Sequence, residues 1–214
     1  MPTESPGARA RARLGHPVVD ADGHSQEFLP AIDEQLRKQG IDVGVHALLT
    51  GLLGPDAHRW SELSPRERAR SRALRPPWWA MPTKNTLDFA TATIPGLLES
   101  RLDELGIDFG VVYPTLALGF PSIRNDELRL AACRAINAYH AELYAEHRRR
   151  LTPVALIPMH TPQEAIAALD HAVGELSLRA VMIASYVSRP IDAVAERAPE
   201  LAPYAEWLDT YGLD

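Results

Sequence analysis

Four short apolar runs, separated by segments with helical spacing, organise this chain. The runs lie at 17–21, 109–113, 154–157 and 180–184, and each is predicted to be a strand. Their apolar residues are consecutive rather than alternating, which is typical of strands buried on both faces of a parallel sheet. The order of strands and helices therefore predicts an α/β fold whose parallel strands are joined by right-handed crossovers.

The segments between the runs carry helix signals. Apolar positions in 95–105 precede Gly106, a typical helix stop. Residues 125–150 have apolar side chains at helical spacing, with acidic residues at the front and arginines at the back, as the helix dipole favours. The sequence Thr161-Pro162-Gln163-Glu164 is a capping box that predicts a helix reaching Val173, with Gly174 as its stop.

Two segments do not follow this alternation. Residues 1–16 contain prolines and arginines without the apolar middle of a signal peptide, so they are predicted to form a disordered tail. Residues 40–93, rich in Pro, Gly, Trp and Arg, form a long insertion after the first strand, and such insertions often cover active sites. One domain is predicted over residues 17–214.

Composition narrows the class of protein. The chain has 214 residues, 46% of them apolar, and a formal net charge of -6. That charge gives no reason to expect nucleic acid or an anionic membrane as a partner, and no apolar run approaches the roughly 18 residues of a membrane span. The single cysteine, Cys133, excludes an internal disulfide and is predicted to be buried. A cytoplasmic protein is the resulting expectation.

The first strand pattern ends in residues that can bind metal. Asp22 and His24 are two residues apart, so in an extended segment both side chains leave the same face of the backbone. A carboxylate and an imidazole placed in this way can bind one divalent cation. Two other interpretations remain open: Asp20-Ala21-Asp22-Gly23 is good turn material, and His24 could be a core or helix-start histidine.

Further candidates lie after the third strand pattern and in the insertion. His160 precedes a proline-led helix, where it could contact substrate, replace a metal ligand or support the start of the helix. Trp78 and Trp79 could cover an aromatic substrate or anchor the long loop. His46 and His58 could line a pocket or face solvent. The histidines on helices are expected at the surface: His140, His147 and His171.

Several short motifs resemble one enzyme group. Val19-Asp20-Ala21-Asp22-Gly23-His24 is similar to the first strand of amidohydrolase superfamily members. That strand ends in His-x-His or in an acidic residue, any residue and then His. Other similarities lie in 81–88, 101–108, 113–115 and 151–158. Together they resemble the amidohydrolase-related branch that contains aminocarboxymuconate semialdehyde decarboxylase and γ-resorcylate decarboxylase.

This resemblance implies a fold and a chemistry. The fold would be a (β/α)8 TIM barrel with a divalent metal bound at one end of the barrel. Zinc is the expected metal, and manganese is the alternative. Asp22 and His24 would be its first-strand ligands, and the remaining groups would come from strands five, six and eight. The sequence offers four strand patterns, so the expected fold is the N-terminal half of such a barrel, and no catalytic residue is assigned.

Three hypotheses about function follow. The chain could be a truncated, inactive form of a metal-dependent hydrolase or non-oxidative decarboxylase of a small carboxylated compound. It could be one half of a split enzyme completed by a C-terminal half-barrel chain, or form a homodimer. It could also be a non-catalytic binding remnant. Open strand edges at either side of a half-barrel would favour association with a partner.

Overall fold

A four-stranded parallel sheet forms the centre of the structure. The computed structural model describes residues 4–53, 60, 62–72 and 85–210. The sheet contains β1 (Val19–Ser25), β2 (Phe109–Pro114), β3 (Leu151–Ile157) and β4 (Ala180–Ile183). These strands are hydrogen-bonded in the order β1-β2-β3-β4, and all three pairings are parallel. The predicted α/β fold with four parallel strands in chain order is confirmed.

Helices connect these strands and flank the sheet. Before β2 the helices are α1 (Pro6–Arg11), α2 (Leu29–Lys38), α3 (Val45–Leu53), α4 (Pro65–Ser71), α5 (Thr86–Thr93) and α6 (Pro95–Leu105). After β2 they are α7 (Asp126–Leu143), α8 (Pro162–Leu169) and α9 (Asp192–Arg197). None of the helices in the described part of the chain is long and apolar enough to cross a bilayer.

The bounds of β1 and β3 differ from the predicted ones because backbone pairing extends beyond the apolar run. β1 begins at Val19 and continues to Ser25, so Asp22 and His24 lie inside the strand rather than after it. β3 begins at Leu151, ahead of Pro153, because Gly110 to Val112 of β2 pair with its first three residues. Hydrogen bonding to a neighbouring strand, which local composition does not reveal, sets these ends.

Two helices end earlier than predicted. α7 stops at Leu143 because the chain must turn to place Leu151 beside Gly110, and the Arg150 side chain donates to the carbonyls of Ile107 and Asp108 there. α8 stops at Leu169 and continues as a π-helical turn, Asp170–Glu175, which contains the predicted stop. α6 and its stop at Gly106, which has φ 78°, are confirmed.

The amino-terminal segment contains ordered structure where a disordered tail was predicted. Ser5 caps α1, and the side chain of Arg11 pairs with Asp108 at the start of β2. α1 lies against α6 at Gly7, where an added Cβ would be 2.5 Å from the carbonyl oxygen of Leu105. Contacts with a distant helix, rather than local apolar residues, hold this short helix in place.

Part of the predicted insertion belongs to the main core. Val45, Leu48 and Leu49 of α3 are buried against α2 and α7. The same cluster includes Phe120, which lies in a 3-10 helix after β2, and Leu156 of β3. Two smaller clusters pack α6 and α8 on the sheet. Residues 54–59, 61 and 73–84 of the insertion lie outside the described residues.

A second, antiparallel sheet follows β4 and was not predicted. It pairs β5 (Val187–Pro190) with β6 (Glu206–Asp209). Arg189 of β5 donates to the carbonyl of His160 at 2.9 Å, and Glu206 of β6 pairs with Arg124 at 3.1 Å. These contacts hold the small sheet near the segments that follow β2 and β3.

Asn137 of α7 continues the hydrogen bonding of β3 where β2 no longer pairs with it. The side-chain amide donates to the carbonyl of Leu156 at 3.1 Å and accepts from the Leu156 N–H at 2.7 Å. Asn137 is 2% exposed, so both bonds lie inside the core. A helix side chain thus takes the place of a neighbouring strand.

Replacing this amide should destabilise the protein. We expect Asn137→Ala to lower the free energy of unfolding by about 2–4 kcal/mol, because two buried backbone groups lose their partner. Urea unfolding measures the change. Asn85→Ala is a matched control, because Asn85 also bonds a backbone N–H but caps the exposed start of α5 and should cost about 1 kcal/mol. Equal losses in the two variants would contradict this account.

His140 is buried, which corrects the prediction that it lies at the surface. Its exposure is 0%, and its ring lies 5.4 Å from that of Tyr139 and 5.8 Å from that of Tyr144. Helical position alone indicated a surface residue, but α7 packs on β3 along this face. Burial lowers the pKa of His140 to about 4, although the Val154 backbone opposes part of the shift. His147 and His171 are partly buried and pair with Glu99 and Glu175.

This depressed pKa makes stability depend on pH. The unfolded chain binds a proton at His140 near pH 6.5, whereas the folded chain does so only near pH 4. The free energy of unfolding should therefore fall as pH drops from 6.5 to 4, by about 3 kcal/mol from this residue. In urea unfolding at several pH values, the free energy of unfolding of His140→Leu should decrease less between pH 6.5 and 4 than that of the wild type. The exposed His46→Gln variant should keep the wild-type dependence, and the same slope in all three proteins would refute the assignment.

Candidate metal centre

A bulge in β1 shapes the candidate site. Val19 and Asp20 pair with Phe109 and Gly110, whereas Gly23 and His24 pair with Val112 and Tyr113. The three-residue step from Asp20 to Gly23 therefore faces a two-residue step in β2, so β1 carries one extra residue. This extra residue of the bulge affects the face of the sheet on which the polar side chains of β1 lie.

The sequence of the bulge suits this geometry. The carboxylate of Asp20 accepts from the N–H of Asp22 at 3.1 Å, a local turn interaction. Gly23 approaches β2 closely, since an added Cβ would lie 2.9 Å from the carbonyl oxygen of Val111. Asp20 thus makes a local bond within the bulged strand, while Asp22 keeps its carboxylate exposed to solvent.

His24 is held by the residues that end β2. Its Nδ1 lies 3.1 Å from the carbonyl oxygen of Pro114 and 3.4 Å from Oγ1 of Thr115. Its ring lies 5.9 Å from that of Tyr113, its partner in the register. Because a carbonyl can only accept, Nδ1 carries the proton in this contact. Metal-binding histidines in proteins are oriented by the same kind of contact.

The other ring nitrogen of His24 faces Asp22. Nε2 lies 3.9 Å from Oδ1 of Asp22. Two atoms that bind one zinc ion, each about 2.1 Å from it, lie at most about 4.2 Å apart. The side chain of Asp22 is 94% exposed, so a rotation can shorten the separation. The pair fits a divalent cation as two of its ligands.

The pair by itself does not complete a metal site. Within the described residues, no group of three or more His, Cys, Asp or Glu side chains is placed to hold a metal ion. Structural zinc sites use four protein ligands and catalytic sites use three with an open position. Asp22 and His24 would therefore need further ligands to hold a metal ion.

Glu27, which the sequence did not single out, is buried beside this pair. Its exposure is 7%, and its carboxylate accepts from the backbone N–H groups of Thr115, Leu116 and Ala117. Burial raises the pKa of Glu27, and these N–H groups act in the opposite direction. Only the approach of two loops distant in sequence brings the carboxylate to these donors, so no local motif could reveal it.

His160 follows β3 and lies beside a buried ion pair. Nε and Nη2 of Arg129, a residue only 1% exposed, donate to the Glu164 carboxylate at 2.7 and 3.0 Å. The side chain of Glu164 therefore pairs with Arg129. The side chain of Thr161 accepts from the backbone N–H of Glu164, as the predicted helix cap. Burial lowers the pKa of His160, and the charge of Arg129 lowers it further. Its roles in substrate contact or metal binding stay predictions.

Only some of the remaining candidates fall within the described residues. Trp78, Trp79 and His58 lie outside the described residues. His46 is exposed on α3. Cys133 is buried as predicted, and burial raises the pKa of its thiol.

Comparison with known proteins gives matches among solved structures only. No family model matches the sequence, and no curated protein matches it either. The 5-carboxyvanillate decarboxylase LigW of Sphingomonas paucimobilis matches with a TM-score of 0.47 and 14% identity, over 80% of this chain and 43% of that one.

Two further structures match in a similar way. A 5-carboxyvanillate decarboxylase of Novosphingobium aromaticivorans, solved with bound manganese, has a TM-score of 0.49 and 12% identity, over 81% of this chain and 43% of its own. A 2,6-dihydroxybenzoate decarboxylase of Rhizobium has a TM-score of 0.44 and 14% identity, over 81% of this chain and 40% of its own.

The matched proteins act on aromatic carboxylates, and this chain spans about two fifths of their length. With its four parallel strands in chain order, the chain is similar in fold to part of each of these structures.

Proposed function

We propose that Asp22 and His24 are the β1 ligands of a divalent cation in a metal-dependent decarboxylase or hydrolase of a small carboxylated compound, with an aromatic acid as the preferred substrate. One observation carries the proposal. Nε2 of His24 faces the carboxylate of Asp22 at 3.9 Å while Nδ1 is held by the Pro114 carbonyl. A carboxylate and an oriented imidazole on neighbouring positions of one face form a metal-binding pair.

The donor set of the pair is compatible with more than one cation. One imidazole nitrogen and one carboxylate oxygen suit zinc, and manganese accepts the same donors. The sequence resemblance favours zinc, and a matched decarboxylase contains manganese. A bound cation would supply Lewis acidity for a substrate carboxylate or a water molecule.

The chain's own residues would orient this chemistry. Pro114 and Thr115 fix the plane and the protonated nitrogen of His24, and Tyr113 lies against its ring. Asp22, on the exposed side of the bulge, would approach the cation from solvent. Further ligands would come from residues beyond this pair. We include His160, Trp78 and Trp79 in the proposal as substrate contacts.

Metal titration of the purified chain tests the proposal. Binding of Mn²⁺, followed by loss of the electron paramagnetic resonance signal of the free ion, should be saturable in the wild type. Asp22→Asn and His24→Ala should each weaken binding at least about tenfold, because each removes one ligand. Zn²⁺ should compete for the same site.

Matched controls separate the site from general metal affinity. Asp42→Asn and His46→Ala make comparable changes at exposed positions and should leave binding unchanged. Wild-type affinity in the Asp22 and His24 variants, or no saturable binding by the wild type, would refute the site. For the metal-loaded protein, CO₂ release from dihydroxybenzoates would then distinguish decarboxylation from hydrolysis.

A further inference from the structure

Glu27 binds the backbone at the point where the chain leaves β2. Its Oε1 lies 3.0 Å from the nitrogen of Thr115 and 2.9 Å from those of Leu116 and Ala117. Oε2 adds a contact of 3.1 Å with the Leu116 nitrogen. Successive N–H groups that converge on one carboxylate form a rigid concave turn. The carboxylate therefore fixes the path of the chain over Thr115–Ala117.

The same turn carries the groups that hold His24. Two groups contact Nδ1 of His24: the carbonyl of Pro114 and the hydroxyl of Thr115. Thr115 is the first residue of the segment that Glu27 binds, and Pro114 directly precedes it. Glu27 itself lies three residues after His24, beyond the end of β1. β1 and the loop after β2 are thus linked twice, once through the histidine ring and once through the carboxylate.

We propose that Glu27 is a positioning residue that keeps His24 in the tautomer with the proton on Nδ1, and so keeps Nε2 directed toward Asp22. The carboxylate acts through the turn, because it holds the Pro114 carbonyl where Nδ1–H can donate to it. The consequence for metal affinity rests on the proposed function, whereas the tautomer is a property of the metal-free protein.

A purely structural role for Glu27 makes a different prediction. If the carboxylate only capped the 3-10 helix Ala117–Ser122, its replacement would lower stability and leave the ring of His24 unchanged. The tautomer therefore separates positioning from capping. The ¹⁵N chemical shifts of the two ring nitrogens, measured in the metal-free chain at a pH where the ring is neutral, report it directly.

The test compares Glu27→Gln with Glu34→Gln. The first change keeps the size of the side chain but places an amide group among three N–H donors. The second makes the same change on the exposed face of α2, where Glu34 pairs with Lys38. We expect Glu27→Gln to raise the fraction of ring protonated on Nε2 and to weaken Mn²⁺ binding about tenfold. Glu34→Gln should change neither quantity.

Each outcome decides the proposal. A wild-type tautomer in folded Glu27→Gln overturns it, even if stability falls. A shifted tautomer supports it, and if the wild type also fails to bind Mn²⁺, the positioning role stands while the proposed metal function fails. Should Glu27→Gln not fold, Glu27→Asp keeps the charge but shortens the side chain, so the carboxylate should no longer reach all three N–H groups of the turn. An unchanged tautomer in that variant also overturns the proposal.

Discussion

The parallel pairing of β1 with β2 is the constraint on which the candidate site depends. The register places His24 beside Tyr113, and Nε2 of His24 lies 3.9 Å from Oδ1 of Asp22, next to the bulge. A shift of one residue in this register would send both side chains to the opposite face. Gly23 permits the close approach to Val111 that the bulge requires. The pairing thus places the two polar side chains of a short sequence motif within 3.9 Å of each other.

Three buried polar groups near the ends of β2 and β3 are satisfied by backbone or by opposite charge. Glu27 accepts from three N–H groups, Asn137 completes the bonding of Leu156, and Arg129 is paired with Glu164. Burying such groups costs free energy unless they are hydrogen-bonded. Their contribution is therefore chiefly to specify one arrangement of loops, because a loop displaced from its partner would leave a buried polar group unsatisfied.

Local signals predicted much of the fold. The cap at Thr161, the stop at Gly106 and the four apolar runs all correspond to observed elements, because each depends on neighbouring residues. Expectations that depended on distant contacts were less successful. α1 is held by Asp108 and α6, and His140 is buried by the packing of α7 on β3. Neither contact can be predicted from the residues that surround it in the sequence.

Side-chain periodicity and residue type were enough to predict the α/β class, the order of strands and helices along the chain and Asp22 and His24 as candidate ligands, because these signals act over a few positions. The presentation of these residues depends on the tertiary structure. The contact of Nδ1 with Pro114 and the hydrogen bonds of Glu27 to the loop after β2 join segments about ninety residues apart, and they hold the ring whose Nε2 lies 3.9 Å from Oδ1 of Asp22. Such contacts form only when strand pairing brings the loops together, because the free energy that fixes them comes from the packed sheet and not from the local chain.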